Sequence, residues 1–325
     1  MSSRPLVYLT RPLPEGAVEA LAPHCEIAMY PLDEPVPPDV LRAALADSEG
    51  LYCLLTDRID AALLDAAPRL RVISQMAVGY DNIDVAACTA RGIPVGNTPG
   101  VLTETTADLT FALMLATARR VVEAAEAVHS GQWRSWRPTW LIGADVWGAT
   151  LGIVGMGRIG AAVARRAAGF GMRILYHNRS QTAEAAALGA EWVPLDELLA
   201  QSDFVSLHCP LTPETTGMVD EAFLRGMKRT AIFINTARGP MVDEAALYRA
   251  LSEGWIHAAG LDVTAVEPIP MDSPLLTLPN CLILPHVGSA TVATRRKMAL
   301  MAADNLLAGL AGKRLPNCVN PEVYG

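Results

Sequence analysis

Apolar positions in the first hundred residues fall into short runs of the kind that build strands, separated by stretches with helical spacing. The runs are Leu6–Leu9, Leu51–Thr56, Arg71–Met76 and Ile93–Asn97. Ala61–Ala66 has helical spacing and meets a stop at Pro68, and Pro99–Gly100 closes the fourth run as a turn. Such alternation predicts a mostly parallel sheet wrapped in helices.

A long helical pattern follows. Thr103 reads as an N-cap, with Glu104 adding negative charge to the first turn. From Ala107 to Val128 the chain is mainly Ala, Leu, Met and Val, without Gly or Pro. One helix of that length spans roughly 35–40 Å, enough to cross between domains. Gly131–Gly148 then carries four of the six Trp (133, 136, 140 and 147) among Arg and Pro. This aromatic loop either packs on its own domain or serves as a lid or an arm onto a partner chain.

A second alternating unit begins at Thr150. Its strands read TLGIV, then 173–177, 204–209, 231–235, 258–263 and 282–286. Helical patterns intervene, among them Ile159–Ala168 and Glu244–Ser252. Six buried-type strands with helices between them predict a complete doubly wound domain. The chain ends with a helix over Val292–Leu310 and a Pro/Asn-rich tail.

The 325 residues suffice for about two domains of roughly 150 residues each. A net charge of −8 argues against nucleic acid or an anionic membrane as partner. Lys occurs only at 228, 297 and 313, none in a phosphate-binding GKS/GKT or VAIK context, which excludes a P-loop NTPase or a protein kinase. The six Cys form no CxxC pair and no zinc-type cluster, so they read as reduced thiols of a cytoplasmic protein without a metal site. The N-terminal apolar stretch is too short for a signal peptide, and no run spans a membrane.

Residues 155–160 read GMGRIG, between the strand TLGIV and a helix. In that setting Gly155 allows a tight turn, Gly157 lets the backbone approach a pyrophosphate, and Gly160 lets helix and strand pack closely. Free N–H groups near Arg158 and Ile159 would bind the phosphates, helped by the helix dipole. At the end of the next strand an NAD enzyme usually carries an acid. This chain has Tyr176-His177-Asn178-Arg179-Ser180, and the next acid is Glu184. A guanidinium pairs with a 2′-phosphate that a carboxylate would repel, so NADPH is expected over NADH, which stays possible. Asn178, Arg179 and Ser180 are the expected contacts, with His177 a weaker one.

Three polar residues follow strand ends of this domain, at the edge where open α/β sheets bind ligands. Arg238 in NTARGP suits the carboxylate and carbonyl of a 2-oxo acid. His286 in LPHVGSAT suits proton donation to the developing alkoxide, and Glu267 in LDVTAVEP would favour its imidazolium form. Singly, each also fits a structural or surface role. His208, in HCPLTP, reads as near the cofactor without being the acid.

The strings GMGRIG, HCPLTPET, INTARGPMVDE, GLDVTAVEP and LPHVGSAT, in this order, resemble the D-isomer-specific 2-hydroxyacid dehydrogenase family. The likeness runs from QMAVGYDNID (75–84) to the C-terminal helix. Within the family it is nearest the glyoxylate/hydroxypyruvate reductases, on WRPTWLIGADVWG, YHNRS and DSPLLTLPNCLILPHVGSAT. The resemblance implies an Arg238–Glu267–His286 catalytic set. It implies substrate contacts from Leu55, Val78, Gly79, Trp140 and Ser289, with Trp140 reaching the neighbour's site in a homodimer. Thr106, Cys209, Pro210, Thr212, Thr236, Ala237 and Gly288 would line the cofactor cleft, and Asp262 would face the nicotinamide carboxamide.

The expectation is therefore an α/β chain of two Rossmann-like doubly wound domains, one flavodoxin-like and one dinucleotide-binding, with the active site in the interdomain cleft. Residues 1–100 and 289–325 form the substrate domain and 101–288 the NAD(P)-binding domain. The expected reaction is NADPH-dependent reduction of glyoxylate or hydroxypyruvate to glycolate or D-glycerate. Reduction of another 2-oxo acid (2-ketogluconate, a hydroxyphenylpyruvate) and a dinucleotide-sensing corepressor are the alternatives. The intact Arg–Glu–His set, with no basic or disordered extension, argues against the corepressor.

Overall fold

The computed structural model describes residues 4–325. They divide into two compact units, one of residues up to Leu102 together with Ser289–Gly325, the other Thr103–Gly288.

The first unit alternates strands and helices: β1 (Leu6–Leu9), α1 (Ala17–Leu21), β2 (Glu26–Met29), α2 (Pro38–Leu45), β3 (Gly50–Cys53), α3 (Ala61–Asp65), β4 (Val72–Gln75), α4 (Val85–Ala90) and β5 (Val95–Gly96). The strands pair in parallel in the order β2-β1-β3-β4-β5, the flavodoxin-like arrangement, with its switch point between β1 and β3. Leu51, Ile73 and Val95 are buried on one face of the sheet with Leu41, Leu45, Leu63 and Leu64 of the helices. The other face packs on the last helix, where Tyr52 donates to the Ala299 carbonyl (3.1 Å) and Ser74 to that of Ala302 (2.7 Å). The Pro/Asn-rich tail returns to the sheet: Cys318 bridges Gly96 antiparallel, and Asn320 accepts the Val95 N–H (2.8 Å). This covers the outer edge of β5.

The second unit opens with α5 (Thr103–Ala118) and α6 (Val121–His129). It continues β6 (Thr150–Val154), α7 (Arg158–Gly169), β7 (Arg173–His177), α8 (Ala183–Ala187), β8 (Glu191–Trp192), α9 (Leu195–Gln201), β9 (Phe204–Leu207), α10 (Glu221–Gly226), β10 (Ile232–Asn235), α11 (Glu244–Ser252), β11 (Ala258–Leu261) and β12 (Cys281–Ile283). The sheet has seven parallel strands in the order β12-β11-β10-β9-β6-β7-β8, one more than the six the apolar runs predict. The extra strand, β8, is two residues long and leaves no run to detect. Beyond this unit, α12 (Val292–Leu310) rejoins the first.

Three expectations from the sequence need correction. The segment Ala107–Val128 is not one helix. Arg120 adopts a left-handed φ of 51°, the Ala118 carbonyl accepts the N–H of Ala144 (2.8 Å), and α6 starts anew at Val121. Thr103 is the first residue inside α5, not its cap. The strands also end earlier than the apolar runs. Leu54–Thr56, for example, leaves β3 because the Asp57 carboxylate takes the Leu54 N–H (2.7 Å) and turns the chain. These apolar continuations at the C-terminal sheet edges are the loops that carry the candidate site.

Candidate active site

The glycine loop follows β6, the strand beside the switch point of the seven-stranded sheet. Gly155 has φ +100°, and a Cβ there would stand 2.3 Å from the Cys209 nitrogen. A Cβ on Gly160 would lie 2.3 Å from the Gly155 carbonyl oxygen. Internal packing thus demands both glycines. Gly157 differs: its φ is −89°, and none of the described residues beyond its chain neighbours lies within 4 Å of where its Cβ would be. Its missing side chain leaves room in front of the first turn of α7, where no side chain caps the helix at Arg158 and Ile159. An open helix N-terminus behind a clearance of this kind fits the phosphates of a dinucleotide.

At the end of β7 the residues divide by task. Asn178 accepts the Met156 N–H on its side-chain oxygen (2.7 Å) and the Trp192 indole N–H on its carbonyl (3.0 Å). It braces the glycine loop from below. His177 is tied through Nδ1 to the Val193 carbonyl (3.0 Å). Arg179 and Ser180 stay exposed. Glu184, the next acid along the chain, faces Arg165 at 3.9 Å. The acid that feels Arg179 comes from the loop after β9: Glu214 is held below the usual carboxylate range by a Thr212 hydrogen bond first and by the Arg179 charge among lesser causes. Sequence order gives no signal of that proximity.

The loop after β9 lies against the glycine loop. His208 hydrogen-bonds Ser206 (2.8 Å), and burial lowers its pKa to about 3, so it is neutral at ordinary pH. Burial pushes Cys209 up to about 11 and keeps it a thiol. Thr215 folds this loop on itself, donating to the Pro210 carbonyl (2.8 Å) and accepting the Thr212 N–H (2.8 Å).

Arg238, Glu267 and His286 follow β10, β11 and β12, three adjacent strands. The buried Asn235 shapes the first turn, accepting the Ala237 N–H (2.9 Å) and donating to the Arg238 carbonyl (3.0 Å). Gly239 packs so closely on Thr264 that a Cβ would sit 1.8 Å from the Thr264 oxygen, which brings the turns after β10 and β11 together. Glu267 accepts the Thr264 N–H (3.2 Å) on one oxygen and meets His286 Nδ1 at 2.7 Å with the other. Nε2 is then the ring nitrogen left to face a reactant. His286 itself has a left-handed φ of 54°, an uncommon backbone for a side chain of its kind. Asp262 holds it there. Its carbonyl accepts the His286 N–H (2.9 Å), and its buried carboxylate accepts those of Val287 and Gly288 (2.8 Å each). Burial raises the Asp262 pKa against those bonds. Thr236 meets Thr110 at 3.0 Å, Thr110 donates to the Thr106 carbonyl, and Thr106 borders Gly288.

In the first unit the residues after β4 show how a backbone can be aimed. The Ala77 carbonyl accepts the Thr98 N–H (2.8 Å), that of Val78 accepts Asn97 Nδ2 (2.8 Å), and that of Gly79 accepts Gln75 Nε2 (2.5 Å). In a trans peptide the following N–H points opposite to the carbonyl. The N–H groups of Val78, Gly79 and Tyr80 are therefore turned away from these donors, a pattern suited to a carboxylate. Leu55 lies half-buried on the turn after β3. Ser289 begins the second segment of this unit, its carbonyl taking the Thr291 N–H (2.8 Å). In the aromatic loop, Trp140 is half-buried under the Arg137 guanidinium (3.7 Å), while Trp133, Trp136 and Trp147 are 62–82% exposed.

A seven-stranded doubly wound domain with a glycine-loop helix terminus, and a His–Glu pair on the same sheet edge, define a nicotinamide-dinucleotide-dependent dehydrogenase. The model of the D-isomer specific 2-hydroxyacid dehydrogenase NAD binding domain matches residues 111–288, and the chain belongs to that family. The glyoxylate reductase of Korarchaeum cryptofilum is 55% identical over 322 residues, 98% of this chain and 97% of the relative. The crystal structure of the TT0316 protein from Thermus thermophilus superposes with a TM-score of 0.92 at 48% identity, covering 97% of this chain and 99% of that one. An NADPH-dependent glyoxylate/hydroxypyruvate reductase from Sinorhizobium meliloti, solved with NADP and malonate, has a TM-score of 0.88 at 34% identity over 98% of both chains.

Proposed function

We propose that this dehydrogenase reduces glyoxylate and hydroxypyruvate to glycolate and D-glycerate, with NADPH preferred over NADH. The observation that carries the reading is the 2.7 Å contact of His286 Nδ1 with Glu267, on the sheet edge that also bears the glycine loop. The names of the relatives support the substrate class. Residues 1–102 with 289–325 act as the substrate-binding part and 103–288 as the cofactor-binding part.

The residues fit a nicotinamide dinucleotide, which when bound supplies the hydride. Arg238 grips the substrate carboxylate and polarises the 2-oxo group. In the substrate-binding part, the N–H groups of Val78 and Gly79 are assigned to a substrate carboxylate, with Leu55 and Ser289 belonging to the same part. His286 Nε2 would donate the proton to the 2-oxo oxygen when C2 is reduced, giving the 2-hydroxy acid. Glu267 keeps the ring oriented through its contact with Nδ1. Asp262 holds the His286 loop in its left-handed turn, and it would face the nicotinamide carboxamide of a bound cofactor.

The absence of an acid at the end of β7 and the exposed Arg179 favour the 2′-phosphate, with Ser180 beside it. The exposed Trp133, Trp136 and Trp147, with Val121, Val122 and Val128 of α6, suit burial against a second copy in a homodimer. Trp140 would then reach the neighbour's pocket. The free cysteines agree with a cytoplasmic setting. Oxidation of NADPH by the purified protein, followed with glyoxylate, hydroxypyruvate, 2-ketogluconate and hydroxyphenylpyruvate, tests the reading. The expected result is the highest kcat/KM on the first two; turnover with none would overturn it.

A further inference from the structure

Gln75 is fully buried at the end of β4, and Asn82 lies seven residues on, across the loop that holds Val78 and Gly79. Their amides bond reciprocally: Gln75 Nε2 donates to Asn82 Oδ1 (2.9 Å), and Asn82 Nδ2 donates to Gln75 Oε1 (2.8 Å). Two acceptors match the two Nε2 hydrogens of Gln75, the Asn82 oxygen and the Gly79 carbonyl (2.5 Å). Asn82 Nδ2 also reaches the carbonyls of Asp57 (2.7 Å) and Leu54 (3.1 Å), the two ends of the turn bearing Leu55. Its own carbonyl takes the Ile59 N–H (2.9 Å). One amide pair thus fixes the Gly79 carbonyl and the Leu55 turn to each other.

We infer that Gln75 and Asn82 are positioning residues for the substrate carboxylate, locking the peptide planes after β4 and the Leu55 turn in one register. The inference rests on the reading that Val78 and Gly79 receive that carboxylate. Neither side chain touches the reactants in this scheme. Gln75 draws the Gly79 carbonyl inward, which turns the Tyr80 N–H outward and stiffens the peptide before it. A buried amide with every donor matched costs little to keep in one conformation, whereas losing one partner leaves the Gly79 carbonyl unsatisfied.

The test compares wild type, Gln75→Met and Asn82→Ser in steady-state reduction of glyoxylate by NADPH, with thermal unfolding as the folding check. Gln75→Met keeps the side-chain length and removes the donors. The expected result is a KM for glyoxylate raised roughly tenfold, the worth of one hydrogen bond, with the KM for NADPH unchanged and kcat lowered less than KM is raised. Asn82→Ser should move the same constant in the same direction. An unchanged glyoxylate KM in folded Gln75→Met overturns the inference and leaves the functional reading standing. A wild type that reduces no 2-oxo acid removes the functional reading itself. If both variants unfold, the pair serves stability alone, and the positioning role is lost.

Discussion

The loop after β6 and the loop after β4 both turn backbone N–H groups away from the chain's own bonding partners, by different means. After β6 the means is a helix start. Residues 155–160 pass straight into α7, whose first N–H groups have no side-chain cap, and Gly157 keeps the approach clear. After β4 only a six-residue helix follows, and the N–H groups are aimed indirectly. Three successive carbonyls are drawn inward by Thr98, Asn97 and Gln75, which come from β4 itself and from the end of β5. The first device is local and needs glycine. The second is assembled from separate strand ends and needs amides. A helix dipole suits an extended polyanion, whereas a few fixed peptides suit a small carboxylate whose orientation matters.

Removing the proposed proton donor leaves both loops intact and should have the largest effect. His286→Ala is expected to lower kcat by ~10²–10⁴ while NADPH binding, followed by fluorescence titration, is retained. Near-normal turnover would remove His286 from the chemistry. Next comes the glycine that internal packing demands. Gly160→Ala places a Cβ 2.3 Å from the Gly155 oxygen and should cost about 1–3 kcal/mol in urea unfolding. A third prediction concerns His208, beside the same loop. Its folded pKa is about 3 against an ordinary 6.5, so between those values the unfolded chain binds more protons. Stability is then fully present above pH 6.5 and declines as pH falls toward 3. The Tm of His208→Gln should fall less steeply than that of wild type between about pH 6.5 and 5, and parallel curves would discard the assignment. The smallest effect is expected at the exposed Arg179, where Arg179→Ala should raise the KM for NADPH about fivefold and leave that for NADH nearly unchanged.

The same contrast explains what is legible in the chain without its fold. GMGRIG is contiguous, so the glycine loop and its helix are visible as a string. Arg238, Glu267 and His286 are readable because each follows an apolar run and therefore stands at a sheet edge. The carbonyl clamp on residues 77–79 is not readable, since its donors lie on different strands and any amide could serve. The brace role of Asn178 is hidden for the same reason: its partner, Met156, is joined to it only by the β6–β7 pairing. The break at Arg120 has no local cause. ARRVVEAAE is good helix sequence, and the interruption comes from Gly143–Ala144 returning to claim the Ala118 carbonyl.

The two loops proposed to receive anions can be separated in one set of kinetic constants, the KM values for NADPH and for glyoxylate in Gly157→Ala and Gln75→Met. Among the described residues nothing obstructs a Cβ at Gly157, so Gly157→Ala should fold, and thermal unfolding checks Gln75→Met. A crossed pattern is expected, with Gly157→Ala raising the KM for NADPH alone and Gln75→Met raising that for glyoxylate alone. Both variants shifting the same constant, or neither shifting any, would contradict it.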